Sequence, residues 1–182
     1  MARTVISQIG YDQKDFNSKT CSIITSLKEL PIEDQRYFDE RKLSEGEIEQ
    51  IPVRNQVTLF GFACNQTSSF MPLPIWLAHK LSRKLTSVRI QRILPYLMPD
   101  GKTQVGVEYR NGKPHRIHSI TVIASQFKPT HKGGPDLQRL RDDISESVIG
   151  PAFLDEEIRP DKKTMIFINP DGPFIVGGPS VH

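Results

Sequence analysis

Asp100 and Lys102 place one acid and one base two residues apart, on either side of Gly101, in the stretch Leu94-Pro95-Tyr96-Leu97-Met98-Pro99-Asp100-Gly101-Lys102-Thr103-Gln104-Val105. Pro99-Asp100-Gly101 has the chemistry of a tight turn between apolar segments. On residue types alone, Asp and Gly suit the turn and Lys suits water. The sharper alternative is that the turn aims both side chains at one ligand. A carboxylate would take hydroxyl or ammonium groups, and a flexible ammonium would act as a compact cation for phosphate. Other reactive side chains read more simply. His79 lies in a helical pattern and reads as structural. Cys21 and Cys64 form neither a metal spacing nor a disulfide framework, and they sit in apolar runs, as buried thiols in a reducing cytoplasm do.

Elements must position that turn. Upstream, residues 71–81 open with two prolines and then turn helical, with Pro74 suited to a first turn. Leu77, Leu81, Leu85 and Val88 recur along one face, and Lys80, Arg83, Lys84 and Arg89 mark the other, a solvated basic face. Downstream, residues 103–109 and 116–125 alternate as strands around Asn111-Gly112, a pair that tolerates positive φ and signals a hairpin. Residues 136–150 read as a helix with Asp136 as N-cap, Leu137, Leu140, Ile144 and Val148 on one face, and Gly150-Pro151 as the stop. Residues 164–169 read as a strand, 170–172 as a turn, and 174–176 as a further strand. Nearer the start, residues 4–9 have helical spacing over a short piece, while 20–27 and 57–64 read as strands, the latter buried with Gly61 inside it. Residues 29–50 are rich in acids and poor in large apolar groups, so they form either a disordered stretch or a lid. The sum is an α+β fold with a mixed or antiparallel sheet, helices on one face, and the other face in a dimer interface. The expected division is 1–50, a partial segment with an acidic lid-like loop, and 51–182, an α+β domain.

Composition narrows the classes. With 24 Lys+Arg against 21 Asp+Glu, the net charge of +3 is too balanced to demand nucleic acid or an anionic membrane. No apolar run reaches the length of a membrane span and no signal peptide is evident, so a cytoplasmic globular protein is expected.

Four segments resemble one family, methionine adenosyltransferase (S-adenosylmethionine synthetase). Residues 71–81 look like its Met-Pro-x-Pro helix start with an Ala-His pair, and 94–105 like its Leu-Pro-x-Leu-x-Pro-Asp-x-Lys-x-Gln-Val segment. Residues 166–179 resemble its Phe-Ile-Asn-Pro-x-Gly-x-Phe-x-x-Gly-Gly-Pro segment, and 9–27 its Ile-Gly-Tyr…Cys strand entry. The resemblance implies transfer of an adenosyl group from ATP to L-methionine. Lys102 would be catalytic, and Asp100, Gly101, Lys102, Phe174, Asn55 and Gln56 would bind substrate or ATP. It also implies Mg2+ and K+, with ligands mostly outside these residues, and a homodimer or tetramer, or a complex with a chain carrying further segments.

Departures bear on that expectation. Residues 52–57, Pro-Val-Arg-Asn-Gln-Val, stand where the family has Gly-Ala-Gly-Asp-Gln-Gly. Gln56 is kept, but Asn55 cannot offer an anion to the methionine ammonium. Met98 and Pro173 stand at two arginine positions, and His182 at an Asp. The Gly-His-Pro-Asp and Gly-Leu-Thr-Gly-Arg-Lys segments of a full-length member are not within these 182 residues. The expectation is therefore a partial or divergent member, inactive alone. The alternative is a non-catalytic nucleotide-binding or regulatory subunit of the same descent.

Overall fold

Asn111 and Gly112 both take positive φ, 52° and 74°, in the computed structural model, and this two-residue turn closes a long antiparallel hairpin. Strand β1 is Leu97–Arg110 and β2 is Lys113–Gln126. The structure describes residues 1–12, 16–27, 40–51, 57–129 and 134–179. Arg110 pairs with Lys113, so the register is set at the turn and carried up the hairpin. A short strand β3, Met165–Ile168, pairs in parallel with β2, giving a mixed three-stranded sheet of order β1-β2-β3.

Side chains alternate across this sheet. Thr103 and Val105 of β1, Ile120, Val122 and Ala124 of β2 and Ile168 of β3 point to one face, and all but the half-buried Thr103 are buried. Lys102 and Gln104 point to the other and are exposed, as are Met165 and Phe167, each at 44%. Helix α3, Leu73–Ile90, covers the first face with Leu77, Leu81 and Val88. Thr103 Oγ1 donates to the Ala78 carbonyl at 2.8 Å and pins β1 beneath it. Pro74 stands in its first turn, where a missing N–H costs nothing.

The crossover from β2 to β3 holds α4, Leu137–Ile144. Its N-cap Asp136 accepts the Arg139 N–H at 2.8 Å, a contact worth about 1 kcal/mol. The helix does not stop at Gly150-Pro151 as expected. It widens into a π turn over Ser145–Ile149 and runs on as α5, Gly150–Ala152. A wider turn makes room for the proline ring, which has no N–H to give. Ile144, Val148, Ile149, Ala152 and Phe153 stay buried through the change. Helix α1, Ala2–Ile9, ends on Gly10 at φ 95°.

Other expectations are corrected as well. Pro99-Asp100-Gly101 is no free turn: β1 already runs through it, with a bulge that sets Leu97–Gly101 against Gln126–Ala124. Two extra residues on β1 bend the strand locally instead of ending it. Residues 20–27 and 57–64 carry strand propensity but join no ladder among the described residues. Strand propensity reflects fit to a half-buried pleated surface, and a strand forms only where a partner edge is present. Val57, Leu59, Phe60 and Phe62 are exposed at 75%, 87%, 95% and 77% instead of buried. Cys21 and Cys64 are half-buried.

The chain divides into two units, residues 1–21 with 63–182, and residues 22–62. In the second, α2 (Glu45–Glu49) follows a 3-10 turn at Glu40–Lys42. The Ser44 hydroxyl donates to the Glu47 carboxylate at 2.7 Å and the Ser44 N–H at 2.9 Å, and the two bonds hold that carboxyl below its ordinary range. The rest of the acidic stretch, residues 29–39, lies outside the described residues.

Candidate active site

The bulge at the start of β1 is where distant parts of the first unit meet. Asp100 is half-buried there. Its carbonyl accepts the Ser125 hydroxyl at 2.7 Å, and its carboxylate Oδ2 accepts the Gly178 N–H at 2.9 Å. The acid thus ties β1 to β2 and to the segment after β3. Phe174 belongs to that segment. Its carbonyl accepts the Gln126 N–H at 2.9 Å, and it bridges to Ser125 in parallel. A Cβ at Gly177 would fall 2.5 Å from Phe174 Cζ and 2.7 Å from Asp100 Oδ2, so only glycine lets ring and carboxylate close on this backbone. Gly178 lies on Tyr11: a Cβ there would sit 3.0 Å from Tyr11 Cε1.

Tyr11 brings the N-terminal segment in. Its ring meets Phe16 edge-on at 5.6 Å. Burial raises its hydroxyl above the ordinary range, the Asp100 carboxylate adds to the rise, and Arg89 opposes it. Arg89 comes from the last turn of α3, and burial lowers its guanidinium, with Tyr11 opposing. Its Nη1 lies 2.8 Å from where a Gly10 side chain would begin. Thus a carboxylate, a phenol and a guanidinium share one partly desolvated corner, where charge interactions are stronger than in bulk water.

The sequence-derived site residues distribute as follows. Asp100 and Phe174 come together across Gly177. Lys102 stands on the exposed sheet face, opposite Ile123, and among the described residues it has no ion-pair partner. Gly101 turns toward α3 instead: a Cβ would meet Leu85 Cδ2 at 2.9 Å and the Ile123 carbonyl at 3.1 Å. Its lack of a side chain is explained by helix clearance. Asn55 and Gln56 lie outside the described residues, as does His182. His79 is on the exposed side of α3. Among the described residues, no three His, Cys, Asp or Glu side chains gather as a metal ion requires. They offer no such side-chain cluster for Mg2+, and no step below runs through a metal. No helix among them is long and apolar enough to cross a membrane.

Sequence reasoning missed Ser125, Asn169 and Arg89 at this corner. The available signal was local only: Asn169 precedes Pro170-Asp171-Gly172, a position where Asn favours left-handed backbone.

An α+β domain built on this hairpin, with an Asp-Gly-Lys bulge facing a Phe and Gly-Gly segment, corresponds to a known class. Residues 50–174 match the family model described as S-adenosylmethionine synthetase, central domain. The chain belongs to the S-adenosylmethionine synthetase family. It is 43% identical over 185 residues to the S-adenosylmethionine synthase of Clostridium botulinum (strain Alaska E43 / Type E3), covering 98% of this chain and 46% of that protein. The synthase of Rippkaea orientalis (strain PCC 8801 / RF-1) is 38% identical over 190 residues, covering 98% of this chain and 45% of its own. The chain therefore spans less than half the length of these relatives.

Proposed function

We propose that this chain supplies the central part of a methionine adenosyltransferase site, in a protein that turns ATP, L-methionine and water into S-adenosylmethionine, phosphate and diphosphate in the cytoplasm. The observation that carries this is the convergence of Asp100, Phe174 and Tyr11, from three of the four family-like segments, on one corner. In the reaction, the methionine sulfur forms a bond to C5′ of ATP with its own lone pair, and the C5′–O bond breaks. The thioether needs no general base. Catalysis then rests on alignment and on stabilising the triphosphate that leaves. Lys102 provides a cation for that leaving group. Asp100 takes ribose hydroxyls or the methionine ammonium. Phe174, half-buried beside Asp100, stacks on adenine. Mg2+ and K+ are implied by the family, with ligands supplied mostly from outside this chain.

The test is a chimera. The matched part of the Clostridium botulinum relative is replaced by residues 1–182 of this chain. We expect the chimera to form S-adenosylmethionine, read by mass spectrometry, and the 182 residues alone to form none. A folded chimera without product would favour the second reading, a non-catalytic nucleotide-binding or regulatory subunit. One observation supports that alternative: Asn55 stands where the family has Asp, in a stretch that has lost its glycines.

Assembly belongs to the same proposal. The chain pairs with a second copy, or with a chain carrying further segments, through the sheet face opposite the helices. Support comes from β3, whose Met165 and Phe167 are each 44% exposed on that face beside half-buried Thr121 and Ile123. Sedimentation equilibrium at low micromolar concentration should give a dimer or tetramer, and Thr121→Arg should shift it toward monomer. A monomer before substitution would overturn this assignment.

A further inference from the structure

We propose that Asn169 is a positioning residue, whose side chain stands in the β2 ladder where a strand residue would and so holds Phe174 and the Gly177-Gly178 turn against Asp100. The ladder along β2 has a gap that this side chain fills. Val122 pairs with Ile168, the last residue of β3. Gln126 donates its N–H to the Phe174 carbonyl. Between them the chain leaves the sheet through Pro170-Asp171-Gly172, so no backbone faces Ala124 on that side. Asn169 faces it instead. Its Oδ1 accepts the Ala124 N–H at 2.8 Å, and its Nδ2 donates to the Ala124 carbonyl at 2.9 Å. Both groups of the carboxamide and both backbone groups of Ala124 are thereby used, as in an antiparallel pair of residues.

The backbone of Asn169 is held as firmly. It is 2% exposed and at φ 43°, a left-handed conformation that Asn tolerates better than most residues. Its N–H donates to the Val122 carbonyl at 3.1 Å, and its carbonyl accepts Gly172 N–H at 3.1 Å and Arg141 Nη2 at 3.3 Å. Arg141 also donates to the Ile168 carbonyl at 3.0 Å. One residue therefore fixes where the excursion leaves β3 and the register at which it returns. On the other side of Ala124 lies Gly101, next to Asp100. A slip in the return would move the Phe174 ring and the Gly178 N–H away from the carboxylate together. Asn169 touches no reacting atom in this account. It acts through Phe174 and Asp100, and its importance for turnover rests on the proposed reading of that corner as an ATP site.

Amide hydrogen exchange by NMR on the 182-residue chain tests the positioning without assuming any activity. Asn169→Gly relaxes the positive φ and removes the carboxamide with its methylene. Asn169→Asp, of the same size, keeps the bond from Ala124 N–H and turns the other into a repulsion, so it serves if the glycine variant does not fold. Exchange at Gln126 and Gly178 should speed up about ten-fold or more in either variant, and at Ala124 in the glycine variant, with Val105 and Ile120 unchanged, as local opening predicts. In the chimera, the same variant should raise KM for ATP about ten-fold. Unchanged exchange at Gln126 and Gly178, or equal acceleration at Val105 and Ile120, overturns the proposal. Local acceleration with an unchanged KM upholds the positioning and overturns the reading of this corner as an ATP site.

Discussion

Replacing Lys102 by Met in the chimera should lower kcat about a hundred-fold, close to 3 kcal/mol of transition-state stabilisation, and move KM for ATP only a few-fold. Met keeps the length and apolar stem of the side chain and removes its charge. In this chain Lys102 sits on the open sheet face, two residues beyond the Asp100 bulge, and holds no ion pair among the described residues. Its charge is therefore not committed to the fold, and its loss leaves no buried acid unpaired. A cation that meets charge developing on a leaving triphosphate acts more strongly in the transition state than on bound ATP, so the loss falls on kcat. Lys102→Arg should recover part of the rate, since charge returns with a different reach. A raised KM with normal kcat would mean that Lys102 binds ATP equally in both states. Normal values of both would make it a solvated lysine, as its residue type alone suggests.

Most elements of the first unit can be read from the chain because their causes are local. Asn111-Gly112 specifies the hairpin by itself, since both residues accept the positive φ that the turn needs. Leu77, Leu81 and Val88 recur at helical spacing because one face of α3 packs against the sheet. What cannot be read locally depends on partners far along the chain. Pro99-Asp100-Gly101 has turn chemistry, and only pairing with residues 124–126 makes it a bulge. Residues 20–27 and 57–64 have strand composition, but composition does not supply an edge to pair with. The candidate site divides in the same way. Asp100 and Phe174 are found through motifs, whereas Asn169 gains its meaning from Ala124, 45 residues away. Arg89 reads as one charge on a basic helix face, and only the fold brings it beside Tyr11 and Gly10.

The scaffold beneath the site should fail at Leu81 before it fails at any single polar contact. Leu81 is fully buried at the middle of α3, between Leu77 and Val88 and over the β1–β2 hairpin. Leu81→Ala removes three carbons and leaves a cavity whose walls cannot easily close. Thr103 anchors the helix to β1 one turn earlier, and Leu85 packs on Gly101 one turn later. A rigid site of this kind puts the cost in the upper part of the usual range, about 3 to 5 kcal/mol. That is a large share of a typical domain stability of about 5–15 kcal/mol. In urea, the midpoint should fall by roughly 1–2 M with the slope unchanged. Ser82→Ala, next along the helix and exposed, should stay within about 0.5 kcal/mol of the parent. Because the helix side chain that meets Gly101 is Leu85 and not Leu81, the kcat of a Leu81→Ala chimera, measured well below its melting temperature, should remain within two-fold. A small stability loss would mean that α3 can settle onto the sheet. A collapse of kcat with stability intact would mean that the helix sets the position of the Asp100 bulge through Leu85 and Gly101, so that packing and catalysis are coupled here.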